Sequence, residues 1–191
     1  KDMHNDEKDG LDECWIPYDA YRKPCDKDRG EKHLTDDEVN YYLSAIRDKI
    51  GDSGKMLVVI DACHSGGATR GDEDEVVRGV EDIFEAIKSF IWGTSADNGK
   101  ADVNPNAKEN KERWITISAC KSDQVNIEMK SPAVGKLTYA IYNMVKESMG
   151  DDNDDFFRRI RMFVNSNTGR RPQYPVMTGE IARFRITDII Q

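Results

Sequence analysis

The stretch "LVVIDACHSGG", residues 57–67, ends an apolar run with an acid, a cysteine, a histidine and two glycines. A thiol in such a place suits nucleophilic catalysis once a base or a positive field has made it a thiolate. Ser65, Gly66 and Gly67 let the backbone turn sharply and let a substrate carbonyl come close to Cys63. The Cys63 N–H is then placed to help hold a developing oxyanion. A lone cysteine is most often just a small buried residue, but Asp61, His64 and the glycine pair argue for the nucleophile. His64 is a poor base for it, because adjacent side chains on an extended segment point to opposite faces. The base must come from elsewhere, and the remaining histidines are His4 and His33. Asp61, two residues before Cys63, projects to the same side of a strand. Its carboxylate suits a cationic side chain entering beside the thiol.

These residues need a framework. The chain has 191 residues, 38% of them hydrophobic, enough for one domain with a core. Charged residues make up 34% and the net charge is −8. An acidic chain without a basic face argues against nucleic acid as partner. No apolar run approaches the ~20 residues that span a bilayer, so no membrane partner is expected. Cys14, Cys25, Cys63 and Cys120 fit no zinc spacing; Cys14 and Cys25 either pair or stay reduced. Beginning at Lys1, the sequence reads as a fragment or a processed product.

Residues 1–33 read as a long polar loop, with "WIPYDA" as the apolar island and room for one short strand. Thr35 to Glu38 form a capping box, followed at helical spacing by Val39, Tyr42, Leu43, Ile46 and Ile50. Gly51 and Gly54 end that helix. The continuous apolar run from Met56 to Ala62 predicts a central strand covered on both faces. Residues 75–92 predict an amphipathic helix, 93–113 a Gly/Asn/Lys-rich connector, and 113–120 a second buried strand. Two helices follow, marked by Leu137, Ile141, Met144 and Val145 and by Phe156, Ile160, Phe163 and Val164. "YPVMTGEIARFRI" predicts an edge strand and a tail. Strands alternating with helices predict an α/β sandwich with a largely parallel sheet, and functional groups then gather beyond the carboxyl ends of the strands.

"IDACHSGG", then "ITISACKSDQVNIE", then "GKLTYAI" resemble the caspase-like cysteine peptidases, most closely the metacaspases and their bacterial relatives. "NDEKDGLDECWIPYDA", "TDDEV" and "RRPQYPVMTG" resemble further segments of that family, and the likeness runs in the family's order along nearly the whole chain. The resemblance implies a three-layer α/β/α sandwich with a mostly parallel central sheet. It implies one peptidase domain over 1–191 lacking its N-terminal part: a large-subunit portion over about 1–92, a connector over 93–112 and a small-subunit portion over 113–191. It implies a Cys–His dyad with Cys63 as nucleophile. The family's Ser-Gly-His-Gly motif is absent here, and His4 falls past its place. The catalytic histidine, with a glycine N–H completing the oxyanion hole, is therefore expected upstream of Lys1, on an N-terminal fragment of the same protein.

The family's primary pocket carries an acid at the position of Asp61 and takes Arg or Lys, so protein or peptide substrates with a basic residue at the cleaved bond are expected. Ser118 and Asp123 are expected in the pocket wall. Asp61→Ala is expected to abolish cleavage after Arg and leave the fold intact. No cofactor is required for the chemistry. Ca²⁺ is a further expectation, held by Asp36 and Asp37, which match a calcium-associated pair in the family, with Asp19 and Asp72 by position. Acids in a helix's first turn are also favoured by its dipole alone. An EF-hand over "NDEKDG" is rejected, because a loop starting at Asn5 puts Ile16 where the bidentate Glu belongs. Arg70, Lys100, Lys108 and Lys111 are candidate self-cleavage sites. The alternative to a peptidase cutting after Arg or Lys is a catalytically silent caspase-like binding module.

Overall fold

The computed structural model describes residues 14–21, 25–62, 76–77, 113–121, 124, 126–166 and 172–190. The chain divides into two compact units, Lys1–Ile46 with Asp82–Asn110 and Arg47–Glu81 with Lys111–Gln191.

In the first unit, strands β1 (Cys14–Trp15) and β2 (Leu34–Thr35) pair antiparallel. Between them the chain folds on Asp28, which is buried. Its carboxylate accepts the Tyr21 N–H at 2.7 Å and the Gly30 N–H at 2.9 Å, and its backbone exchanges hydrogen bonds with Cys25. The Tyr21 N–H, more than any other group, holds the Asp28 carboxyl below its ordinary range, against the opposing effect of burial and with help from the Gly30 N–H. A depressed carboxyl stabilises the folded loop at pH above its unfolded value, about 4, and loses that effect as pH falls through the lower folded value. Protection of the Tyr21 and Gly30 amides from hydrogen exchange should therefore persist at pH 5 and be lost below about pH 4. In Asp28→Asn the acid step should disappear.

Helix α1 (Asp36–Ile50) starts at the expected capping box. The Glu38 N–H donates to Thr35 Oγ1 at 3.2 Å while the Thr35 N–H donates to Glu38 Oε2 at 3.0 Å, satisfying two of the donors a helix start leaves open. Gly51, at φ +66°, ends it in the left-handed region. Tyr42, Ile46 and Ile50 of the expected apolar stripe are exposed.

In the second unit, β3 (Leu57–Ile60), β5 (Ile115–Ser118) and β8 (Val176–Gly179) form one sheet in the order β3-β5-β8. β3 and β5 are parallel, with Ile60 opposite Ser118, and β5 and β8 are antiparallel. A second sheet joins β4 (Val76–Val77), β6 (Ile127–Lys130) and β7 (Ala133–Gly135), all antiparallel. Ile115, Ile117 and Ala119 share one face of β5 by the strand's period of two. They pack with Leu137, Ala140 and Ile141 of α2 (Lys136–Glu147) and with Phe156, Ile160 and Val164 of α3 (Asn153–Ser166). Both helices thus present the apolar stripes their spacing predicts. On the other face of β5 the buried Trp114 indole N–H donates to Thr116 Oγ1 at 3.0 Å.

Three expectations change. The α/β class stands, but the described main sheet has one parallel and one antiparallel pair rather than a mostly parallel set. Among the described strands β3 lies at the end of its sheet, with Val59 42% exposed, so its apolar run does not mark a central strand there. Val76–Val77 pairs with β6 as a strand where a helix was expected to begin; the β-branched pair suits the extended backbone. The rest of 78–92 and the connector lie outside the described residues.

Asn153, at the start of α3, ties down the C-terminal segment. Its Nδ2 donates to the Ile181 and Phe184 carbonyls, each at 2.6 Å, and its Oδ1 accepts the Ile186 N–H at 2.8 Å. Asn153→Ala leaves a buried N–H and buried carbonyls without partners, at about 1–3 kcal/mol. The urea midpoint should fall with an unchanged m-value.

Candidate active site

The parallel pair β3–β5 brings two strand ends together. The Ala119 N–H donates to the Ile60 carbonyl at 2.9 Å, so the chain leaving β3 at Asp61 and Ala62 lies beside the chain leaving β5 at Ala119 and Cys120. Ser118, half-buried, is the last residue of β5 and stands opposite Ile60 in the register. The structure thus brings Asp61 and Ser118 to the same end of the sheet. Cys63, His64, Asp72 and Asp123 lie outside the described residues.

The Asp61 carboxylate is held on both oxygens. Oδ1 accepts Asn126 Nδ2 at 2.8 Å. Oδ2 accepts the Thr138 N–H at 3.0 Å and the Thr138 hydroxyl at 2.6 Å. Thr138 is in the first turn of α2, whose own N-cap residue, Gly135, supplies no side-chain bond. Asp61 therefore caps α2 from another element, placing negative charge where the helix dipole favours it.

Gly135 explains how the carboxylate gets there. Its backbone, φ −63° and ψ 142°, is open to any residue. A Cβ on it would fall inside the Asp61 carboxyl group. The glycine is required for space rather than for backbone freedom.

Behind Asp61 the polar chain continues inward. Asn126 Oδ1 accepts Gln173 Nε2 at 2.9 Å, and the same Nε2 donates to the Ala119 carbonyl at 3.1 Å. Gln173 Oε1 accepts the Ile127 N–H at 3.3 Å. Both amides are fully buried. Gln124 ties the loop after β5 from outside: its Oε1 accepts the Lys121 N–H at 3.3 Å and the Tyr174 N–H at 3.0 Å.

Sequence reading singled out Asp61 and Ser118 but missed Asn126, Gly135, Thr138 and Gln173. The signal was present, since all four lie in the segments that carry the family resemblance. Periodicity gives no reason for a Gly before a helix or for a Gln before a strand. Asp61 also has a part in the fold: it caps a helix and accepts a hydrogen bond from a buried amide.

The remaining candidates are dispersed. Asp19 accepts Lys32 Nζ at 3.2 Å, a bond that raises the lysine above its ordinary value against the effect of burial. Asp36 and Asp37 lie in the first turn of α1. Among the described residues no group of three or more His, Cys, Asp or Glu side chains gathers as a metal site. His33 Nε2 lies 3.1 Å from the Tyr21 carbonyl, and His4 and His64 are outside the described residues. No disulfide joins Cys14 to Cys25; both are thiols. Among the described residues no helix is long and apolar enough to cross a membrane.

An α/β framework with a cysteine-bearing segment following a parallel strand end defines a class in which the reacting groups stand beyond the strand termini. The chain belongs to the caspase-domain family of C14 peptidases, whose domain matches residues 3–184, and is a cysteine-peptidase-type hydrolase. Neither the curated proteins nor the solved structures compared with it gave a match.

Proposed function

We propose that the protein is a metacaspase-like endopeptidase that cleaves after Arg or Lys, with Cys63 as nucleophile and Asp61 as the residue that receives the substrate's cationic side chain. The thiolate of Cys63 adds to the carbonyl carbon of the basic residue. The C–N bond breaks as an imidazolium gives its proton to the departing amine. Water, deprotonated by the same imidazole, then hydrolyses the thioester. The imidazole is that of a histidine upstream of Lys1, as the resemblance to a family whose Ser-Gly-His-Gly motif is absent from this sequence implies. Ser118 and Asp123 complete the pocket wall.

The observation that carries this reading is the Asp61 carboxylate, fixed by three hydrogen bonds just beyond the end of β3 and two residues before the thiol. A fixed carboxylate selects cations by charge, and a group of the wrong sign there is strongly rejected. The calcium expectation has no support among the described residues.

The test uses fluorogenic peptides that differ only in the residue before the scissile bond, with Cys63→Ala as the blank. Arg and Lys peptides should be cut at least about a hundredfold faster than Asp or Leu peptides, the span a missing charge partner gives. Equal cutting would refute the specificity, and no thiol-dependent cutting of any peptide would leave a silent binding module.

A further inference from the structure

We propose that Gln173 is a positioning residue for the Asp61 carboxylate, acting through Asn126, and that it sets how tightly a cationic side chain is held beside the nucleophile. The inference rests on the reading of Asp61 as the group that receives Arg or Lys.

Hydrogen-bond polarity fixes how these amides face one another. The orientation of a side-chain amide is fixed only by its neighbours. Gln173 has two backbone neighbours that admit no ambiguity. The Ile127 N–H can only donate, so it must meet Oε1. The Ala119 carbonyl can only accept, so it must meet Nε2. Gln173 therefore turns its NH₂ toward Asn126, and Asn126 must answer with Oδ1. That leaves the Asn126 NH₂ facing Asp61 Oδ1 at 2.8 Å. Reversing Asn126 would set two oxygens against each other at Asp61 and two NH₂ groups against each other at Gln173. The backbone of β5's end and β6's start thus dictates, through two amides, that Asp61 meets a donor.

The cost of this arrangement points to its use. Two amides are fully buried, and their desolvation is recovered only while every bond is made. Apolar side chains of the same volume would fill the space equally well. What they could not supply is a directed N–H on the inner oxygen of Asp61, opposite the Thr138 donors on the outer one. Held from both sides, the carboxylate has one position in which to meet a substrate cation, and that preorganisation raises affinity for the cation.

The test is made in the full-length protein with Gln173→Met, Asn126→Ala and Asp61→Asn. Three quantities are read: KM and kcat for an Arg peptide, the inhibition constant of benzamidine as a small cationic probe, and the rate at which iodoacetamide alkylates Cys63, followed by mass on its peptide. Gln173→Met should raise KM and the benzamidine constant about tenfold, with kcat and alkylation within about twofold of the parent. Asn126→Ala should do the same, and it decides the matter if Gln173→Met does not fold, since it leaves Gln173 both backbone partners. Unchanged KM and inhibition in these variants, while Asp61→Asn raises both, would overturn the proposal and spare the specificity reading. So would a fall of kcat and alkylation in step with binding, the mark of a merely collapsed site. Should Asp61→Asn itself leave KM and benzamidine unaffected, the specificity reading fails, and the role of Gln173 with it.

Discussion

Asp61→Ala should lower kcat/KM for an Arg peptide by at least about a hundredfold and the unfolding midpoint by roughly 5–10 °C. The first effect would be loss of the charge proposed to receive the substrate cation. The second follows from what the carboxylate does inside the protein. Its removal strips the Thr138 N–H of its partner at the start of α2 and leaves the Asn126 NH₂ facing a void. A lost helix cap costs about 1 kcal/mol, and a buried donor without a partner costs about 1–3 kcal/mol. Asp61→Asn separates the two. Its one oxygen can take the Thr138 donors, but its NH₂ then faces the Asn126 NH₂, so only the cap's share of the stability should return, while the charge is gone and cleavage after Arg should stay low. Thermal unfolding beside peptide kinetics reads both. An Asp61→Ala protein that melts like the parent would contradict the capping geometry, and one that still cuts after Arg would contradict the specificity.

Gly135→Ala should be destabilising by about 1–3 kcal/mol and should reduce cleavage after Arg by at least about tenfold. The sign is what makes this informative. At φ −63° and ψ 142°, replacing Gly by Ala ordinarily stabilises a protein by about 0.4–1 kcal/mol, because the unfolded chain loses freedom. Here the new methyl group would occupy the place of the Asp61 carboxyl. Either the carboxylate is expelled, and α2 loses its cap, or β3's end shifts away from α2. Both move the acid from where a substrate cation would meet it. A neutral or stabilising Gly135→Ala would mean that Asp61 does not lie against Gly135.

The elements were legible where a local signal decides them. The capping box from Thr35 to Glu38 closes as its spacing requires, and the stripes of α2 and α3 face the core they imply. Val76–Val77 was misread because apolar residues at helical spacing continue downstream, and a two-residue strand leaves no periodicity of its own. The position of Asp61 was legible from its distance to Cys63, but its environment was not. Its partners come from 65 and 77 residues away, and no pattern along the chain reports a contact made only by the fold. Nothing local marks Gly135, because the side chain that needs its space comes from beyond the end of β3.

The pairing of β3 with β5 joins residues 57–60 to residues 115–118, and the bonds of Asp61 to Asn126 and Thr138 run in the same sense. Every one of these ties crosses the connector without using it. A single cut anywhere between 93 and 112 should therefore yield two fragments that co-elute on gel filtration and part only in denaturant. Loss of covalent continuity there should leave the acid's setting in place, so cutting the chain and dismantling the protein are separable.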